Sequence, residues 1–480
     1  MICDEIVLRM ANGFPHTFTE DQCRAAEALA RFVTDGDGER AFILRGYAGT
    51  GKTSLVGTLV RVMHDMGRKT VLLAPTGRAA KVFSNHSGAR AATIHRTIYR
   101  QQTFNGEGTR FSLGFNKLRH ALFIVDEASM IADSSADSLF GTGHLLDDLI
   151  RYVYEGEGCR LLLVGDVAQL PPVGREESPA LQADALRGYG IGVDDATLTE
   201  VVRQSANSGI LANATHLRYA LYDDAAGLPR VCGSREGEVR FLPGGELIEA
   251  LVSAYSDCGT DDTIVITRSN KRANIYNNGI RTRIFDREDT LARGDMVMAV
   301  KNNYYWSEQL ARSLPREERL PFDFIANGDV AEVLRVRNVH ELYGFRFADV
   351  TLRLPDYDDY EIDCRVLLDT LSSEAPALTP DESRRLYEQV LQDYADIPGK
   401  PERMKKLRQD PYYNALQIKY AYAVTCHKAQ GGQWSRVFVD QGYMTDEMAG
   451  RSYLRWLYTA FTRATERLYL VNWPETQREV

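Results

Sequence analysis

Eight residues, Gly46-Tyr47-Ala48-Gly49-Thr50-Gly51-Lys52-Thr53, have the types and spacing of a phosphate-binding loop, G-x-x-x-x-G-K-[ST]. Glycines at such spacing let backbone N–H groups close on phosphate oxygens, and the helix that follows adds its partial positive charge. Lys52 would reach the β/γ-phosphates and the Thr53 hydroxyl would ligate Mg²⁺, with Ala48, Thr50 and Ser54 completing the cradle. A second cluster, Asp126-Glu127, ends the apolar run Ala121-Leu122-Phe123-Ile124-Val125. Two carboxylates at the end of a buried strand are costly unless they meet a cation. Asp126 holding Mg²⁺ and Glu127 activating water would account for both, so the chemistry indicated is hydrolysis of a nucleoside triphosphate such as ATP. Gln169, after the run Arg160-Leu161-Leu162-Leu163-Val164, could contact the γ-phosphate and orient water, and Arg203 follows another short apolar stretch.

These groups need parallel strands to carry them. Ala41-Phe42-Ile43-Leu44 before the loop and Thr70-Val71-Leu72-Leu73-Ala74 after its helix read as buried strands, and ligands collect at the carboxyl ends of such strands. Pro75, Thr76 and Arg78 stand at one such end, where a plain helix cap at Thr76 is the alternative. A lone His95, after Thr93, would ordinarily be structural. Gln22 has two readings. With Thr19 it forms a capping box at the start of a helix, or its amide binds an adenine edge.

Residues 99–117 interrupt the α/β rhythm with a short hairpin around Asn105-Gly106-Glu107-Gly108. Its Phe104 or Phe111 could wedge between paired bases, or the hairpin could be ordinary surface. A second α/β pattern begins near 240 without a second phosphate loop, takes in Met296-Val297-Met298-Ala299-Val300, and resumes at Tyr420 with Thr425, His427 and Lys428. Between 327 and 368 the apolar period changes to two, as in a small antiparallel sheet or barrel. Thr379-Pro380-Asp381-Glu382 starts a helix, and the basic stretch Lys400 to Arg408 reads as solvated, with nucleic-acid contact as the alternative.

The 480 residues are too many for one ordinary domain. A net charge of −9 argues against a protein that coats duplex DNA by bulk charge, yet leaves room for a local basic groove. No run of about 20 apolar residues is present to span a membrane, and Met1-Ile2-Cys3-Asp4-Glu5 lacks the start of a signal peptide. Seven cysteines without paired spacing suggest neither zinc nor disulfides, and a cytoplasmic location is expected.

In this order the segments resemble a superfamily 1 helicase, and within it the B branch of RecD-like and Pif-type enzymes. Phe18 to Gln22 resemble the Q motif, Gly46 to Thr53 motif I, Asp126-Glu127-Ala128-Ser129 motif II, Gly165 to Pro172 motif III, and Thr425 to Gly431 motif V. Arg203 and Arg463 fall where the family has its two arginine fingers. The resemblance implies two RecA-like parallel-sheet lobes with ATP between them, an inserted hairpin pin and an inserted SH3-like barrel. The lobes would occupy 1–97 with 118–195, and 196–300 with 418–480; the pin would be 98–117, and the barrel with a helical extension 301–417. It tips Gln22 toward adenine, and makes Lys52, Glu127, Gln169, Arg203 and Arg463 the catalytic set. It gives Pro75, Thr76, Arg78, Thr93, His95, Phe104, Thr425, His427 and Lys428 to a track for single-stranded DNA. It further implies movement from 5′ to 3′, opening of single-strand/duplex junctions, work as a monomer, and replication or recombination proteins as possible partners. The sequence shows no nuclease carboxylate cluster or iron–sulfur cysteine set, so a motor without nuclease is expected. A single-strand translocase, an RNA-directed motor and an ATP-regulated binding protein are the alternatives.

Overall fold

The computed structural model describes residues 2–35, 38–103, 109–132, 142–202, 208–223, 227–234, 236–315, 320–322 and 324–479, with side chains at 101–103 and 109–111 left aside. Its first layer is a six-stranded parallel sheet in the order Ala91–Thr93, Thr70–Ala74, Leu122–Val125, Arg160–Gly165, Arg40–Gly46, Gly192–Leu198. The apolar runs are continuous because each strand feeds two cores. Ala41, Ile43, Phe123, Val125, Leu161 and Leu163 pack on one face. Phe42, Leu44, Leu122, Ile124, Leu162 and Val164 pack on the other, under the helices Glu20–Thr34 and Lys52–Asp65. Chemistry is thereby excluded from both faces and confined to the strand ends.

A second parallel sheet follows, in the order Val239–Leu242, Ala464–Val471, Trp434–Asp440, Thr263–Thr267, Ala423–Thr425. Inserted in it is a closed barrel of Met296–Ala299, Val330–Leu342, Phe345–Leu354, Tyr360–Leu367 and Leu416–Tyr420. Two parallel-sheet lobes and an inserted barrel are therefore present, as the sequence led us to expect. The boundaries differ. Met296 to Val300, expected in the second lobe, opens the barrel, because a four-residue apolar run fits a barrel strand as well as a sheet strand. Gly192–Leu198 is an edge strand of the first sheet, so that lobe runs past 195. Barrel and second lobe share one core, in which Val333, Val350 and Leu352 are continuous with Val265 and Phe438. Asp295 ties the two together: buried, it accepts a two-pronged pair of bonds from Arg281, each 2.9 Å, and another from Arg287.

The expected hairpin pairs Tyr99–Thr103 with Thr109–Leu113; Phe104 lies outside the described residues. Thr379 caps Pro380–Gln392 with a full capping box, and that helix with Lys400–Arg408 covers Phe345 and Phe347 of the barrel. No helix among the described residues is long and apolar enough to cross a membrane.

The barrel also leans on the first lobe. Lys81 donates to the Pro355 carbonyl at 2.8 Å and lies 3.5 Å from Asp356. Gly77 allows the closest approach, since a Cβ there would fall 2.9 Å from the Tyr357 hydroxyl. Tyr357 donates to buried Asp329 at 2.9 Å, and the Ala326 N–H donates to it at 2.7 Å. Burial pushes the Asp329 carboxyl up to about 7, the two donors pull it back, and Asp356 adds to the rise. With the folded value above the unfolded one, folding favours the protonated form. That stabilisation is complete below about pH 4 and is lost as the pH rises through 7. Asp329→Asn, which keeps an acceptor and cannot ionise, should flatten this part of the Tm–pH profile between pH 5 and 8. An unaltered slope would remove Asp329 as its source.

Candidate active site and single-strand groove

The strand Arg40–Gly46 delivers the phosphate loop and the helix Lys52–Asp65 receives it. Gly51, with φ +80°, makes the left-handed turn into that helix, and a Cβ there would sit 2.7 Å from Gln22 Nε2. Lys52 Nζ and Thr50 Oγ1 both donate to the Tyr47 carbonyl, at 2.9 and 2.8 Å. Gln22 braces the loop from behind. Its oxygen accepts the Thr19 N–H at 3.1 Å, its Nε2 donates to the Thr50 carbonyl at 2.9 Å, and it is 1% exposed. The capping box read from the sequence is thus present, and the amide that would meet an adenine edge here faces the phosphate loop.

Asp126 and Glu127 emerge where Leu122–Val125 ends. Glu127 takes a left-handed φ of +53°, rare for a side-chain-bearing residue, and its N–H donates to Asp126 Oδ1 at 2.9 Å. Burial, and then the Glu127 carboxylate, raise the Asp126 carboxyl well above the ordinary range, while Lys52 opposes the rise. Burial of this kind suits a metal-binding carboxylate. Gln169 follows on the next strand's loop, 7% exposed, with its Oε1 buried and unpartnered; Ser129 Oγ is buried and unpartnered beside it. Orphaned acceptors and hydroxyls are rare inside proteins, and these two line one small cavity, with Ser129 two residues past Glu127. The donor set therefore fits a nucleoside triphosphate with a divalent metal: Lys52 and the loop for the phosphates, Thr53 and Asp126 for the ion.

Arg463 arrives from the second lobe. Its Nη1 lies 4.0 Å from Glu127 Oε1, and the side chain is 4% exposed. It is aimed by bonds to the Thr459 carbonyl at 3.0 Å, the Gly432 carbonyl at 3.2 Å and the Thr462 hydroxyl at 3.2 Å. Arg203 lies outside the described residues, although the Val202 N–H just before it donates to the Gly49 carbonyl at 3.0 Å. Three further bonds cross between the lobes at the Gln169 loop. Thr459 Oγ1 accepts the Leu170 N–H at 2.8 Å, Gln430 Nε2 donates to the Leu170 carbonyl at 2.6 Å, and Tyr458 donates to Asp166 at 2.6 Å. Ala168 and Leu170, although in first-lobe sequence, pack in the second lobe's core.

The expected DNA contacts divide. Thr76, Arg78, His427 and Lys428 line one groove where both lobes and the barrel meet, together with Lys81, Asn327 and Trp434. Thr93 lines an adjoining cavity that shares Lys81 and Asn85 with the first. Thr76 and Thr93 also cap their helices, accepting from Ala79 N and Arg96 N. Pro75 precedes Thr76 and is half-buried; Thr425 caps Cys426–Ala429 without using its side chain. Lys428 donates to Asn327 of the barrel, and burial lowers its ammonium to about 8. Arg78 is more than a groove residue: its guanidinium stacks 4.1 Å from the Trp434 ring centre and donates to the Asp261 and Gln433 carbonyls, clasping the lobes. His95, expected on the DNA track, packs between Tyr99 and Phe324, and burial lowers its imidazole to about 4. Lys81, Trp434 and Tyr458 were not singled out from sequence. Only Lys81 carried a signal, its place one turn after Gly77 on the helix Gly77–Ser87.

Comparison with known proteins adds two family matches: an AAA domain over residues 17–226 and a UvrD-like helicase C-terminal domain over 420–471. The chain is 32% identical over 196 residues to the ATP-dependent RecD2 DNA helicase of Deinococcus radiodurans, covering 41% of this chain and 23% of that protein. It is 24% identical over 421 residues to the ATP-dependent DNA helicase dda of Enterobacteria phage T4, covering 82% and 86%. The chain thus spans about a quarter of the RecD2 relative and most of the phage one. Among solved structures, Pif1 helicase from Bacteroides in complex with ADP-AlF3 and ssDNA aligns over 95% of this chain and 93% of that one, at 16% identity and a TM-score of 0.45.

Proposed function

We propose that this chain, a relative of the RecD-like and Pif-type branch of superfamily 1, is an ATP-dependent DNA helicase whose hydrolytic cleft works only when its two lobes meet. The observation that carries this reading is Arg463, brought from the second lobe to 4.0 Å from Glu127 at the end of a first-lobe strand. A binding protein has no need of a buried cation placed opposite a candidate general base.

In this reading Lys52 and the loop N–H groups hold the phosphates, and Thr53 with Asp126 would hold Mg²⁺, which would neutralise charge on them. Glu127 accepts the proton of the attacking water, Gln169 orients that water, and Arg463, with Arg203, stabilises charge developing on the γ-phosphate. The groove lined by Thr76, Arg78, His427 and Lys428 holds single-stranded DNA by its phosphates. Because that groove straddles the same two lobes as the cleft, closing and opening the cleft changes the grip on the strand. Movement is 5′ to 3′ on the likeness to the branch, the working unit is a monomer, and the substrate is a single-strand/duplex junction.

Unwinding of duplexes with a 5′ or a 3′ tail, with DNA and RNA tails in parallel, tests this. Preferential opening of the 5′-tailed DNA duplex is expected, and preference for a 3′ tail would reverse the polarity assigned. Opening of RNA-tailed duplexes alone would refute the DNA assignment.

A further inference from the structure

The helix that ends just before Arg463 carries a second group into the first lobe. Tyr458, on Arg451–Phe461, is 1% exposed, and its hydroxyl sits between two first-lobe partners. It accepts the Ala48 N–H at 2.7 Å and donates to Asp166 Oδ2 at 2.6 Å. A tyrosine hydroxyl has one donor and acceptor lone pairs, so the two bonds do not compete. Burial and the neighbouring Asp166 push this phenol far above its usual range, so it keeps the proton that it donates. Asp166 is itself fixed, accepting the Ala168 N–H at 2.9 Å.

Ala48 is the third residue of the phosphate loop, and its N–H is one of the backbone donors that define the loop's shape. That donor is engaged by a residue 410 positions away, from the opposite lobe. Tyr458 and Arg463 are five residues apart on one helix and its end, and Tyr458 lies in the same core as Ala168 and Leu170. A movement that brings Arg463 to Glu127 therefore also seats the hydroxyl on Ala48.

We propose that Tyr458 is a positioning residue, a latch through which the second lobe sets the conformation of the phosphate loop and ties it to the Asp166–Leu170 loop. The inference rests on the ATP-hydrolysing reading of the cleft for its consequence in turnover, but not for the latch itself. When the lobes meet, the chain Ala48 N–H, Tyr458 hydroxyl, Asp166 carboxylate closes; when they part, the loop loses a fixed acceptor.

Tyr458→Phe keeps the ring in its packing and removes only the hydroxyl. In the full-length protein, amide hydrogen exchange of the segment 47–50 should quicken about fivefold, the worth of one net hydrogen bond of about 1 kcal/mol. Tyr222→Phe removes a different hydroxyl, 3.3 Å from that of Tyr47, and should leave this exchange as in the unaltered protein. Steady-state ATP hydrolysis with single-stranded DNA should show kcat falling several-fold while KM for ATP moves less. Unchanged exchange at 47–50 in Tyr458→Phe overturns the latch, whatever the turnover does. Faster exchange with an unaltered kcat keeps the contact and overturns its role in positioning. If the unaltered protein does not hydrolyse ATP, the functional reading fails while the exchange result still decides the latch. Should the phenylalanine variant not fold, Asp166→Asn weakens the other end of the chain and should quicken the same exchange; an unchanged rate there overturns the latch.

Discussion

Arg463→Ala is expected to lower DNA-stimulated kcat by about 10³-fold, the lower end of what an arginine finger contributes, while ATP affinity changes only a few-fold. The asymmetry follows from placement. The guanidinium belongs to the second lobe and is aimed at Glu127 by the Thr459 and Gly432 carbonyls, whereas the groups proposed to grip phosphate, Lys52 and the loop amides, belong to the first. Its charge therefore acts on the reaction more than on the resting complex, and an interaction made mainly in the transition state appears in kcat. Because Arg463 is buried and feeds two carbonyls, Arg463→Lys is the companion variant. It keeps the charge, loses the fork, and should also fall far short of full turnover. Kinetics by phosphate release and binding by a fluorescent ATP analogue separate the two constants. Normal kcat in Arg463→Ala removes the finger, and loss of binding equal to the loss of turnover would make it a simple ligand.

The second large effect is expected at Glu127. Glu127→Gln is nearly isosteric and should tolerate the left-handed φ as the carboxylate does, so the fold should stand. Turnover should fall by about 10²- to 10⁴-fold, the usual range for a general base, with ATP and single-stranded DNA still bound. Circular dichroism and Tm check the fold, and single-turnover hydrolysis checks the role. An unaltered single-turnover rate in the glutamine variant would remove Glu127 as the base.

What could be read in advance depended on the range of the interactions. The phosphate loop, its strand and the Asp126-Glu127 pair were legible because buried strands feed both cores with consecutive apolar residues, and the ligand-facing groups follow directly in sequence. The capping box at Thr19 and the helix start at Thr379 are likewise local and were legible. The start of the barrel was not legible, since Met296 to Val300 packs into a core that barrel and lobe share, and no change in composition marks the passage. Gln22 carried two readings, a local capping box and an adenine contact; the box is present, and its bond to the Thr50 carbonyl, 28 residues away, could not be read. Arg78 was legible as a groove residue but not as the cation over Trp434, and His95 not as a partner of Phe324. Tyr458 gave no signal, because both of its partners are in the opposite lobe. Interactions within a turn are written in the sequence, and those between lobes come only with the fold.

On the proposed reading, the cleft hydrolyses ATP in response to a strand held by the same two lobes. Steady-state ATP hydrolysis by the purified full-length protein, with and without single-stranded DNA, tests it most directly. Slow hydrolysis alone and at least about tenfold faster hydrolysis with DNA are expected, a modest share of the factors available to such a site. Hydrolysis that is indifferent to DNA, or absent in its presence, would contradict it.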